Sequence, residues 1–237
     1  VSVEIWHDVE CGSYAADLEL WEELAEAAGG PVVDLGCGTG RVALHLARRG
    51  HEVIGVDREP ELLAALTRRG RDLPLATVVA DAREFELEAP AGLALAPMQF
   101  LQLLPDSDAR VRCLCRVSDQ LLPGGRFAAA IVESMPEPDG SPPPLPDVRE
   151  VDGWVYSSLA IEALVGGDAI VVRRLRQTVS PDGELDEEPN EIRLATFSAD
   201  QLQLEAEAAG MVAVERRWIE PTDIHVGSLV AIFARAA

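Results

Sequence analysis

Ten residues, VVDLGCGTGR (Val32–Arg41), limit the fold more than any other stretch of the chain. An apolar run ends at Leu35 with one aspartate, Asp34, set inside it, and glycine then occupies positions 36, 38 and 40. The apolar run predicts a buried strand, and the residues from Arg41 to Gly50 predict a helix that closes on a glycine. Strand, glycine loop and helix are the opening of a βαβ unit. Bare backbone lets a ligand come close, and the start of the helix is expected to offer free N–H groups to an anionic group. Loops of this kind serve dinucleotides and other nucleosides. The dinucleotide spacing is G-x-G-x-x-G, whereas the glycines here give G-x-G-x-G and position 41 is arginine.

The alternation continues downstream. HEVIGVD, LATVVAD, AGLALAP and PGGRFAAAIVE predict further strands, with helices at EPELLAALTRRG and over about 106–122. Upstream, SYAADLELWEELAEAA (13–28) carries helical spacing with Ser13 as its cap. After Glu133 the pattern changes. SMPEPDGSPPPLPD is proline-rich and predicts a linker or flap, and three period-two segments joined by glycine turns predict an antiparallel meander over about 148–197. SADQLQLEAEAAG predicts a last helix, followed by two strands. The expected fold class is α/β, with a Rossmann-like, doubly wound, mainly parallel sheet and an inserted antiparallel β lid. The expected division is an N-terminal helical cap (1–30), a nucleoside-binding core (31–133), the linker and β insertion (134–197), and a C-terminal helix with two strands that complete the core sheet (198–237).

Of 237 residues, 41 are acidic and 20 basic, a formal charge of -21. Such a surface repels phosphate backbones and anionic lipid, so nucleic acid and membranes are poor partners and a small neutral or cationic substrate is favoured. No apolar run reaches the roughly 18 residues of a membrane span, and no leader pattern opens the chain. Cys11, Cys37, Cys113 and Cys115 fit neither a disulfide framework nor a zinc site, so no metal is expected and a reducing cytoplasm is.

VVDLGCGTG resembles motif I of the class I S-adenosylmethionine-dependent methyltransferases, matching at Asp34, Leu35 and Cys37 as well as at Gly36, Gly38 and Gly40. The resemblance implies S-adenosyl-L-methionine as cofactor and a seven-stranded sheet whose last strand is antiparallel. It implies that Asp34 organises the loop around the methionine part and that the glycines lie along the adenosyl part. Asp57 ends VIGVD seventeen residues after Gly40 and corresponds to the ribose ligand, with Arg58 beside it. Asp81 and Ala82, after VVAD, correspond to the adenine-reading pair. Tyr14 lies twenty residues before Asp34, where relatives place a tyrosine over the cofactor; Pro97 and Met98 follow strand four at the same edge.

Methyl transfer is an in-line displacement that depends on positioning, and a base is needed only when the nucleophile arrives protonated. The reversed last strand brings His225 to the cofactor edge, where catalysis, substrate contact and a structural role stay open for it. Glu133, at the end of strand five, is the second catalytic candidate. Gln99 and Gln102 are candidate substrate ligands, as are Trp154 and Tyr156, which alternate on one strand face; packing of the meander is the alternative for that pair. Relatives carry a histidine where this chain has Leu103. His7 is assigned to a lid or to the surface, His45 to packing or surface, and His51 has no role. The insertion is expected to be a lid or a homodimer contact. The implied function is methyl transfer to an O or N atom of a small molecule. The alternatives are a protein that binds the cofactor without transferring methyl, and a dinucleotide oxidoreductase.

Overall fold

The computed structural model describes residues 2–135, 145–222 and 225–236. The proline-rich stretch read as a linker or flap falls largely at 136–144, outside the described residues. The first parallel strands are β1 (Val32–Leu35), β2 (Val53–Asp57), β3 (Leu75–Val79), β4 (Ala91–Ala96) and β5 (Leu121–Ile131). Two late strands, β10 (Met211–Ile219) and β11 (Ser228–Arg235), join them in the order β10-β11-β5-β4-β1-β2-β3. All six residues of β4 are buried, as befits a central strand covered on both faces. β11 pairs antiparallel with β5, Leu229 facing Ile131, so the start of β11 lies beside the ends of the parallel strands. The expected reversed last strand is present.

Helices cover both faces. α2 (Leu18–Glu26), α3 (Arg41–Arg48) and α4 (Pro60–Arg69) bury Trp21, Leu46 and Leu66 in one apolar cluster. α5 (Ser107–Gln120) and α6 (Ala199–Ala208) bury Leu114 and Leu202 in the other. A short 3₁₀ turn, Phe100–Leu103, follows β4. A second sheet of four antiparallel strands, β6 (Asp147–Val151), β7 (Trp154–Gly166), β8 (Ala169–Val179) and β9 (Leu185–Ala195), forms the insertion. β6 was not expected from the period-two pattern.

The N-terminus differs from the sequence reading. α2 begins at Leu18, not at Ser13, because Asp17 stops the segment before it. Its carboxylate is drawn to Trp21 Nε1 and to the Arg41 guanidinium. A separate helix, α1 (Val3–Cys11), precedes it, with Ser2 Oγ accepting the Glu4 N–H as its cap. α1 lies between the glycine loop and the second sheet. Trp6 meets Tyr156 of β7 edge-on, with ring centroids 5.8 Å apart, and Glu10 accepts two bonds from Arg176 of β8.

Candidate active site

Several N–H groups of the glycine loop and of the start of α3 are already bonded within the protein. The Gly36 and Cys37 N–H groups both donate to Val56 O, at 2.8 and 3.2 Å. Gly38 N donates to Asp57 Oδ2 at 2.8 Å. Ala43 N, in the first turn of α3, donates to Asp34 Oδ2 at 3.0 Å. This last bond explains an aspartate in an apolar strand: α3 has Gly40 as its N-cap, with no side chain to offer, and Asp34 supplies the missing acceptor and the negative charge. The other Asp34 oxygen has no hydrogen-bond partner among the described residues, and burial pushes the carboxyl up to about 7 despite Arg41 and the Ala43 N–H. Asp57 Oδ1 accepts the Glu59 N–H at 3.0 Å, and each carboxylate oxygen keeps a further lone pair. The loop therefore presents carboxylates, which repel a pyrophosphate and suit a nucleoside that carries positive charge.

The bare faces of two glycines are already used by side chains. Gly36 (φ +63) packs under Phe100, and a Cβ there would sit 2.3 Å from Phe100 Cδ2. A Cβ at Gly38 (φ +55) would sit 2.0 Å from His7 Nε2. His7 belongs to α1, and its Nδ1 lies 3.2 Å from Thr39 Oγ1. Asp8 fixes the same helix by accepting from Thr39 Oγ1 and from both terminal nitrogens of Arg69. One cavity beside the loop, of about 170 Å³, is lined by Asp34, Gly36, Cys37, His7, Pro97 and Phe100 among others.

A second cavity of about 300 Å³ opens under the insertion sheet, and Cys11, Met98 and Leu103 line both. His225 lines the second, its ring 4.6 Å from that of Tyr14 and tilted by 34°. Burial lowers the pKa of His225; Arg174 and Arg41 act in the same direction, and Asp147 opposes them. A neutral imidazole thus faces the cavity at neutral pH. Tyr14 is buried, its hydroxyl has no partner among the described residues, and burial raises it to about 12. The Arg41 guanidinium stands 5.1 Å from the Tyr14 ring centroid and pairs with Asp17. Burial, with Glu10 nearby, raises the Cys11 thiol to about 11, so it is not a thiolate at neutral pH.

Comparison with known proteins agrees with this geometry. Residues 32–125 match the profile of a family described as a methyltransferase domain. Over these residues the core is similar to that methyltransferase domain family. The chain is 34% identical over 116 residues to an S-adenosyl-L-methionine-dependent Diels-Alderase, iccD, of Talaromyces variabilis, covering 48% of this chain and 40% of that protein. It is 30% identical over 117 residues to a ubiquinone biosynthesis O-methyltransferase of Xanthomonas oryzae, covering 47% and 46%. The chain therefore spans under half the length of these curated relatives. Its fold is similar over its whole length to the sugar N-methyltransferase KedS8 of Streptoalloteichus, with a TM-score of 0.74, 20% identity and 94% of that chain covered.

The cofactor of this methyltransferase family is S-adenosyl-L-methionine. The residues present fit it: Asp34 offers a carboxylate oxygen with no partner among the described residues, Asp57 has open lone pairs, and the Gly36, Cys37 and Gly38 N–H groups are already bonded. The cavity as it stands holds only part of such a molecule, since His7 covers Gly38.

The remaining predicted site residues divide. Cys37 lines the first cavity, and Met98, in a left-handed backbone (φ +47), lines both. Gln99 lines the second cavity and donates to Ser228 Oγ at 3.1 Å. Ala82 is buried, while Asp81 accepts from the Arg83 guanidinium and backbone, and that bonding holds its carboxyl at about 2. Arg58 reaches outward to Glu59. Four candidates are committed elsewhere. Glu133 accepts the Ala199 N–H at 2.7 Å and caps α6. Gln102 is buried and ties the turn to Val132 and Ala195 through three hydrogen bonds, which use both its N–H donors. Trp154 is exposed at the start of β7, and Tyr156 packs on Trp6. Sequence reasoning missed Cys11 and Arg174 as cavity residues. The i, i+1, i+4 apolar spacing of Ile5, Trp6 and Val9 after Ser2 was the available signal for α1.

Among the described residues no helix is long and apolar enough to cross a membrane, and no group of three His, Cys, Asp or Glu side chains is set to hold a metal ion.

Proposed function

We propose that this protein transfers a methyl group from S-adenosyl-L-methionine to an O or N atom of a small molecule. The observation that carries this reading is the wall of Cys11, Met98 and Leu103, shared by the acid-lined loop cavity and the larger cavity under the insertion. Donor and acceptor can meet across that wall. When bound, the cofactor supplies an electrophilic methyl on a sulfonium. Asp34, Asp57 and the glycine loop hold it, and Asp81 with Ala82 are assigned to its adenine end. Tyr14 closes over it with its unpartnered hydroxyl. His225, neutral because it is buried, receives the proton of an acceptor that arrives as a hydroxyl or a protonated amine. Apolar walls keep water from competing for the methyl. Glu133 has no part in this reading, since α6 uses its carboxylate.

A screen with methyl-labelled cofactor over phenols, alcohols, amines and carboxylic acids tests the proposal. Label should pass to a small acceptor. His225→Ala should leave cofactor binding intact and lower turnover about 10²-fold or more. Because the His225 pKa is lowered, wild-type turnover should fall only on the acid side, below the ordinary value near 6.5. Wild-type turnover in the Ala variant would remove His225 from catalysis. The relative named as a Diels-Alderase favours a second reading, in which the cofactor is bound and no methyl moves. Tight cofactor binding with no label transferred across the screen would select it.

A further inference from the structure

The acceptor cavity also carries a clue to the chemistry of its occupant, on the premise that the preceding functional reading holds. Its walls are mostly apolar, contributed by Met98, Val132, Val172 and Leu194 among others, and its polar groups cluster at Arg174, Asp147 and Glu10, with His225 close enough to feel two of them. Arg174, on β8, is buried except for 15% of its side chain. Its Nε donates to Ser158 Oγ at 2.8 Å, and one terminal nitrogen donates to Asp147 Oδ2 and to Ser158 O. The other terminal nitrogen, Nη1, carries two N–H groups with no acceptor among the described residues. That edge is open to hydrogen-bond an oxygen brought by an occupant of the cavity, which Arg174 lines.

Charge balance says which oxygen. Glu10 is neutralised by Arg176, which holds both its oxygens, and Asp147 by Arg174. Two acids and two arginines leave this cluster with no net charge. A carboxylate brought in would be an unbalanced anion in an apolar cavity of a protein with charge -21. A neutral carbonyl accepts the same N–H groups with no such imbalance. We propose that the methyl acceptor is a compact, largely apolar, uncharged molecule whose carbonyl oxygen is held by Arg174 while its nucleophilic hydroxyl or amine points to the wall of Met98 and His225.

Three para-substituted phenols of similar size test this: para-hydroxyacetophenone, para-ethylphenol and para-hydroxybenzoate. Their affinities are measured by calorimetry with the protein saturated in S-adenosylhomocysteine. The ketone should bind about tenfold or more tightly than either of the others. Arg174→Met should erase that preference while the affinity for S-adenosylhomocysteine stays unchanged. Arg174→Lys, which keeps the charge opposite Asp147, serves as the folded control and should retain part of the preference. Equal binding of the three phenols, absence of binding by all of them included, overturns the carbonyl assignment. So does tightest binding of the carboxylate or the alkyl phenol. Failure of the wild-type protein to bind S-adenosylhomocysteine overturns instead the underlying functional reading.

Discussion

At the end of β1, Asp34 has two tasks that pull its charge in opposite directions. As the acceptor for Ala43 N–H at the start of α3 it is favoured as an anion; in its buried place it is favoured as the acid, and burial wins, with the carboxyl at about 7. Its folded value lies above the unfolded one, so the stability it contributes to the free protein is fully present below the ordinary range near 3.9 and is lost as pH rises towards about 7. A cation beside the carboxylate reverses the preference. S-adenosylmethionine carries a sulfonium and an ammonium, and binding it should therefore expel a proton from Asp34 at any pH below about 7. Affinity for the cofactor should rise with pH between about 6 and 7.5, by up to about tenfold per unit at the acid end. Calorimetry in buffers of different ionisation heat would read the released proton directly. Asp34→Asn should flatten the profile; a wild-type profile already flat over this range would mean that Asp34 does not face the cation. The same residue shows how far sequence reaches at this scale. Its place beside the glycine loop was legible from the motif, but the use of the loop N–H groups was not. Those bonds go to Val56 O and to Asp57, on a neighbouring strand, and a spacing rule within the loop says nothing of what lies beside it.

Among the elements, α1 was the least legible and is the most consequential. Nine residues make a helix too short to persist on its own pattern, and what fixes it is packing between two sheets. Asp8 reaches Thr39 of the glycine loop, Arg69 of α4 and Arg149 of β6, so one carboxylate ties the helix to three elements. Burial works to raise that carboxyl, and Arg69, Thr39 and Arg149 outweigh it, so it is held below the usual range. Its contribution is present above the unfolded value near 3.9 and is lost only as pH falls below it, so the tie holds through neutral pH. With His7 over Gly38, a cofactor seated on that face of the loop as proposed would have to compete with the bound helix. Asp8→Ala should loosen the helix, speed backbone hydrogen exchange over Val3–Cys11, and raise the association rate of S-adenosylhomocysteine by about tenfold. Faster exchange with an unchanged association rate would show that α1 does not gate entry. The helices and strands of the core were legible by contrast, because their apolar faces repeat at 3.6 or 2 residues over several turns. The insertion was legible as a meander but not in its role. Trp154 and Tyr156 share a strand face as a pocket wall would require, yet Trp154, at the start of β7, is exposed, while Tyr156 packs on Trp6.

For the whole molecule, composition constrains more than pattern does. The topology followed from alternation of period and from the motif, down to the reversed β11 that carries His225 to the edge where β1 and β4 end. The cavity under the insertion sheet did not, because it is built from α1, the turn after β4, β8 and the approach to β11, among others, which no local stretch relates. The charge of -21 acts on all of them. Self-repulsion of like charges opposes the compact state, and salt screens it, the Debye length falling from about 30 Å at 0.01 M to about 8 Å at 0.15 M. Salt also weakens exposed ion pairs such as Arg173 with Glu162 and Glu191, each worth at most about 1 kcal/mol. Buried pairs such as Arg110 with Glu205, which join α5 to α6 with side chains 4% and 7% exposed, are screened much less. With acids outnumbering bases 41 to 20, repulsion is the larger screened quantity. Scanning calorimetry should therefore show the melting temperature rising by about 2–4 °C between those two salt concentrations, equivalent to roughly 1 kcal/mol. A fall would mean that the exposed pairs outweigh the net charge. The sign also bears on the acceptor: a field that salt relieves on unfolding disfavours an incoming anion too, so any weakening of para-hydroxybenzoate binding relative to the neutral phenols should shrink over the same range of salt.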